Sequence, residues 1–230
     1  MNHEGEIGRR RALAAGAGLL LGTPVLAMAQ GKLDPDAGVT APEDLMKEHG
    51  VLNRCLLIYE EGIRRIQGGE EIAPAVFQHT ARLVRSFVEE YHEKNEEKYI
   101  FPVFRKHGKL VDLVDTLLAQ HKAGRKVTAH ILSLSAPDAF RASESRQQIV
   151  TACQQFIRMY RPHEAREDTV LFPALRTLLT PKQVSALGDR MEEDEHKALG
   201  DEGFEKSVAQ VAAIEKALGI YDLKQFTPKV

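Results

Sequence analysis

Two stretches of the chain carry the same set of chemically active side chains. His92-Glu93-Lys94-Asn95-Glu96 runs on to Phe101-Pro102, and His163-Glu164-Ala165-Arg166-Glu167 runs on to Phe172-Pro173. Both read H-x-x-x-E, four residues, then Phe-Pro, at a constant offset of 71 residues. On a helix, a His and a Glu four apart lie on one face, one turn from each other. Such a pair can grip one metal ion, or its carboxylate can bridge two. His49 lies 43 residues before His92, and His121 lies 42 residues before His163. The candidate ligand set is therefore His49, His92, Glu96, His121, His163 and Glu167, with Glu93 as an additional candidate because it adjoins His92 and could swing toward an ion. Imidazoles and carboxylates together suit iron first and manganese second, and six donors exceed what one zinc needs. Two half-sites related by a 71- or 72-residue offset make a pair of ions the natural stoichiometry. With both glutamates and an oxo or hydroxo group bridging, each six-coordinate iron would keep about one open position. Ferrous iron binds oxygen, peroxide or nitric oxide at such a position.

The elements that must position these side chains follow from the breakers. Between His49 and His92 the chain midpoint falls beside Gly68, Gly69 and Pro74. Between His92 and His121 it falls beside Gly108, and between His121 and His163 just past Ser133 to Pro137. If each breaker turns the chain back on itself, all four histidines reach one height in an up-down-up-down four-helix bundle, an all-α fold. Helix one starts at Pro42 with Glu43 and Asp44 in its first turn. Its stripe is Leu45, Leu52, Leu56, Tyr59, Ile63 and Ile66, with His49 filling the gap. Helix two, from about Pro74 to Lys106, turns Phe77, Val84, Val88 and Tyr91 inward. Glu96 on this face requires a cation, because an unpaired buried carboxylate costs several kcal/mol. Its neighbours Glu89, Glu93 and Glu97 read mainly as solvated.

Helix three, about Leu110 to Leu134, has the stripe Val114, Leu117, His121, Thr128 and Ile131. Gly124 either makes room there for a metal or small gas, or allows close helix packing. Helix four, about Ser143 to Leu179, holds Ile149, Cys153, Phe156, Tyr160, His163, Glu167, Val170 and Ala174 at strict three-four spacing. Pro102 and Pro173 should bend or shorten the ends of helices two and four. Pro181 opens a fifth helix to about Leu199, and an amphipathic segment runs from Glu202 to Leu218. Glu193 and His196 form E-x-x-H, as do Glu89 and His92, which is the spacing of ferritin-like di-iron bundles. The former lies in a charged segment without an apolar stripe and reads as a solvated face. His3, His79, His107 and His130 lack a carboxylate on the same face and read as structural or surface residues.

The 230 residues, 43% hydrophobic, suffice for one domain with a real core. A net charge of −2 with dispersed lysines and arginines leaves no footprint for nucleic acid. The absence of Trp argues against a base-stacking or lectin-like surface. Cys55 and Cys153 form no C-x-x-C pair and sit in apolar helical patterns, so they read as small buried hydrophobes. A disulfide between them is not favoured, since their axial heights match only roughly. At the N-terminus, Arg9-Arg10-Arg11 precede a mildly apolar, Gly- and Ala-rich run to Leu26, then Ala27-Met28-Ala29 as a cleavage site. This is the shape of a secretory signal peptide, and the arginines resemble a twin-arginine export signal. The alternative is an uncleaved anchor helix, for which the run is short and Gly-rich. The expected organisation is a signal peptide over 1–29, a linker over 30–42, the bundle over 43–180 and a helical extension over 181–230. The expected location is the periplasm, with no membrane association after cleavage.

The repeated H-x-x-x-E with Phe-Pro, and the isolated histidines on helices one and three, resemble the hemerythrin-like, or HHE cation-binding, domains over about residues 43 to 180. The resemblance implies a bundle around a non-haem di-iron centre held by the six residues above. It also implies a protein that carries, stores or senses oxygen, or responds to nitric oxide, peroxide or iron. Oxygen-carrying hemerythrins have H-x-x-x-H on helix three; here Leu117 and Arg125 stand four residues either side of His121. One His fewer leaves one more open coordination position, pointing to auto-oxidation, peroxide turnover or sensing rather than tight reversible carriage. A di-iron oxidase or peroxidase and a metal-free helical interaction module are the competing readings.

Overall fold

The computed structural model describes residues 40–229, so the segment expected to be an export signal and most of the expected linker lie outside the described residues. Every regular element among the described residues is helical. The first rod, Ala41–Gly68, begins after Thr40 with Pro42, Glu43 and Asp44 in its first turn. Proline lacks the N–H that a first turn leaves unpaired, and the acids favour the helix N-terminus. The rod ends at Gly69, whose φ of 68° is open to glycine at little cost. The second rod covers 74–107: Pro74–Leu83, a π-helical stretch Val84–His92, Glu93–Asn95, a π turn Glu96–Ile100, and Phe101–His107. The third rod is Val111–Leu134. After a single turn at Pro137–Phe140, the fourth rod covers 143–178 as Ser143–Arg166, a π turn Glu167–Leu171, and Phe172–Leu178. A fifth helix, Pro181–Leu199, opens with a capping box of Thr180 and Gln183. A sixth is Gly203–Leu218.

Pro102 and Pro173 do not end their rods, which run on to His107 and Leu178. Each follows a π turn in which the preceding phenylalanine reaches back five residues: Phe101 N–H to the Glu96 carbonyl, Phe172 N–H to the Glu167 carbonyl. The widened turn accommodates a residue that has no N–H and whose ring crowds the previous turn. It also inserts an extra residue, and this corrects the inward stripe of the fourth rod. Val170 and Ala174 are only half-buried, whereas Leu171, Phe172 and Leu175 are buried.

Side-chain contacts give the pairing directly. His49 meets Glu167 and Asp168, while further along Glu60 meets Arg161. Gln78 bonds the Ser135 carbonyl and Arg105 pairs with Asp115. Gln120 touches His163, and Gly124 abuts Tyr160. Rising numbers on one rod meet falling numbers on the next. Two apolar clusters lie at different levels. One gathers Leu52, Cys55, Tyr59, Phe77, Val88, Ile131, Cys153 and Phe156, with Val211 and Ile214 of the sixth helix. The other gathers Leu45, Ile100, Phe101, Phe104, Leu117, Leu171, Phe172 and Leu175, with Leu187 and Met191 of the fifth. Each side chain of this kind contributes roughly 1.5–3 kcal/mol when buried. In every rod the residues of the candidate set fall between the two clusters.

Candidate metal centre

His49, His92, Glu96 and Glu167 bring one donor atom each within 4.8 Å of one another, and so do Glu96, His121, His163 and Glu167. The two groups share both glutamates. All six side chains are buried, and Glu96, Glu167 and His121 are completely so. The second rod supplies His92 and Glu96 across the turn Glu93–Asn95; the fourth supplies His163 and Glu167 from the turn after Pro162.

Each imidazole has a defined orientation. The Nε2 atoms face the glutamates: His49 lies 3.4 Å and His163 3.2 Å from Glu167, and His92 lies 3.7 Å and His121 3.4 Å from Glu96. His121 and His163 bring their Nε2 atoms within 3.3 Å. Every Nδ1 points outward to an acceptor. These are Asp168 for His49 at 2.8 Å, Glu48 for His92 at 2.6 Å, Glu97 for His121 at 3.2 Å and Gln120 for His163 at 2.9 Å. An outward Nδ1–H leaves the Nε2 lone pair directed at the centre, the arrangement of metal-binding histidines. The Phe of each Phe-Pro walls the site. Phe101 stacks on His121 and Phe172 on His49, with ring centres 5.4 and 5.8 Å apart.

All four carboxylate oxygens of Glu96 and Glu167 are buried without a hydrogen-bond donor. Buried charges ordinarily have partners. Burial and the Glu167 charge drive the Glu96 carboxyl well above its usual range. Burial holds His92 down to about 3 and His121 down to about 4. His49 differs: burial opposes its charge, but its bond to Asp168 and the Glu167 carboxylate 3.4 Å away hold it up to about 10. A cation between the two acids would satisfy all of these groups, so the donor set fits the metal pair expected from the sequence.

The surroundings correct the reading of the off-stripe glutamates. Glu89 and Glu93 are buried, not solvated, and Glu97 is half-buried. Glu93 takes the Tyr160 hydroxyl at 2.6 Å and pairs with Arg125 at 2.7 Å. It groups with Glu97 and His121 rather than with the shared acids. Gly124 serves close packing: a Cβ there would lie 2.1 Å from the Tyr160 hydroxyl. Arg125 also bonds Glu97 at 2.6 Å. Glu48 is buried, with one oxygen on the Tyr91 hydroxyl at 2.8 Å and the other on His92. Burial pushes it up to about 7, and the Tyr91 bond opposes that rise. Glu164, also buried, accepts from Asn53. A glutamate next to a site histidine (Glu48, Glu93, Glu164) was the available sequence signal, and it recurs at three of the four histidines. His196 is exposed and meets Asp201. Cys55 and Cys153 are buried free thiols.

The chain belongs to the hemerythrin HHE cation-binding domain family, whose model matches residues 40–139 and again 112–226. Uncharacterized proteins of Mycobacterium bovis and of two strains of Mycobacterium tuberculosis are similar to it. Each is 45% identical over 195 residues, covering 85% of this chain and 76% of the relative. No solved structure matches.

Proposed function

We propose that the chain is a non-haem di-iron protein that binds or senses oxygen, peroxide or nitric oxide, working in the periplasm after twin-arginine export. One observation carries the metal reading: two buried acids with four unpartnered oxygens stand inside a ring of four inward Nε2 atoms. His49 and His92 would hold one ion and His121 and His163 the other, with Glu96 and Glu167 shared. Iron, rather than manganese, would supply one-electron chemistry and an open position for a small oxidant. The protein supplies the rest. The Nδ1 acceptors fix the imidazoles, and the apolar clusters on either side exclude water. The opposed directions of successive rods support a hemerythrin-type up-down-up-down bundle over 43–180, carrying the extension 181–230. No helix among the described residues is long and apolar enough to cross a membrane.

A di-iron oxidase or peroxidase is the second reading. Arg125 binds Glu93 and Glu97, neither position four residues from His121 holds the further histidine of an oxygen carrier, and the buried phenol of Tyr160 lies beside His163. Metal analysis of anaerobically purified protein, then absorption spectra on exposure to oxygen or peroxide, tests both. About two irons per chain and a stable adduct support binding. Rapid ferric product with turnover supports the enzyme, and protein without metal sinks both in favour of a helical interaction module. Localisation is tested by fractionating cells that express the full chain and its Arg9→Lys, Arg10→Lys variant.

A further inference from the structure

The two half-sites share their acids and differ in what stands behind their histidines. Behind His92, both oxygens of buried Glu48 accept hydrogen bonds, one from Tyr91 and one from the imidazole. Lys47 follows Asp44 and Phe204 instead, with its ammonium 3.8 Å from the one and 3.9 Å from the other ring's centre. Behind His49 stands Asp168, half-exposed, with buried Glu164 nearby on Asn53. Among the described residues, no lysine or arginine pairs with Glu48, Asp168 or Glu164.

The other half is electrically quiet. Glu97 behind His121 is also bound by Arg125 at 2.6 Å and Lys94 at 3.0 Å. Arg125 faces Glu93 as well. Two acids there meet two bases. Behind His163 stands the neutral amide of Gln120. A carboxylate on Nδ1 makes the imidazole a stronger donor at Nε2. A nearby uncompensated negative charge also lowers the energy of a cation, most where burial limits screening.

We propose that the His49–His92 half-site takes its metal ion first and more tightly than the His121–His163 half-site. The order is set mainly by Glu48, and less by Asp168, which water screens. This rests on the metal-binding reading above. It makes Glu48 a positioning and affinity-setting residue that touches neither ion.

The test is a titration of the chelator-stripped full chain with cobalt(II) chloride, followed by calorimetry and by the visible bands of the bound ion. The wild-type chain should take up one ion about 10-fold or more tighter than the second. Glu48→Gln should weaken the first phase by about 10–100-fold and leave the second within about threefold. Asp168→Asn should do the same more weakly. Gln120→Glu, at a half-exposed position that endangers the fold little, should tighten the second phase and narrow the gap. Two equal wild-type phases overturn the proposal, as do Glu48→Gln and Gln120→Glu acting on the same phase. A wild-type chain that binds no cobalt overturns the metal reading itself.

Discussion

The layer of Glu96 and Glu167 and the apolar cluster around Phe156 are both dry, yet they are opposites. In the cluster, Cys55, Leu56, Phe156 and Cys153 fill space with groups that water would not improve, and Phe156 lies against the rings of Tyr59 and Tyr160 with centres 5.6 and 4.3 Å apart. In the layer, two acids lie buried without donors. The cluster is stabilised by its own contacts. The layer holds acid oxygens that its own contacts leave without donors, which is how it differs from a core.

The largest effect expected from breaking this contrast is on binding. Glu96→Gln with Glu167→Gln should abolish metal uptake, read by metal analysis. The same change should alter the stability of the metal-free chain by less than about 2 kcal/mol in denaturant unfolding, because neutral amides replace acids whose oxygens no donor meets. Phe156→Ala should do the reverse: metal stoichiometry persists, while stability falls by about 3–5 kcal/mol. If the double glutamine variant instead lost stability as Phe156→Ala does, the two regions would not be opposites.

Acid–base behaviour sharpens the contrast. The metal-free chain holds His49 up to about 10 against an ordinary 6.5. The native state therefore keeps a proton that the unfolded chain has released. That contribution is complete below about pH 6.5 and is lost as pH rises through 10. Denaturant melts of metal-free protein should show stability falling between pH 7 and 10, by an amount on the order of a few kcal/mol. Asp168→Asn should flatten this slope, and bound metal, which displaces the proton, should remove it.

Gly124→Ala drives a Cβ onto the Tyr160 hydroxyl and should cost about 1–3 kcal/mol, through displacement of Tyr160 and loss of its bond to Glu93. Tyr160→Phe should reproduce the hydrogen-bond part of that loss. The smallest effect belongs to His196→Ala, on the exposed face. It should leave metal stoichiometry unchanged and alter stability by no more than about 0.5 kcal/mol.

The sequence by itself determined the helical elements, most of the inward stripes as far as Glu167, and the common level of four histidines and two glutamates. Helical period and turn position are local properties, and equal arm lengths about each turn carry a residue to a fixed height. Even the close approach that Gly124 allows was one of two options readable there. Only the tertiary structure decided which charged neighbours go inside. Glu48, Glu89, Glu93 and Glu164 lie off the apolar stripes, so a single-helix reading puts them in water. They are buried because each rod has neighbours on more than one side, and Tyr91, Tyr160, Arg125 and Asn53 reach across to meet Glu48, Glu93 and Glu164. The register of the fourth rod after Glu167 was likewise hidden. A π turn adds one residue between Glu167 and Leu171, which moves the inward face from Val170 and Ala174 to Leu171 and Leu175. Helical periodicity cannot foresee a turn whose width is chosen by the proline and the packing that follow it.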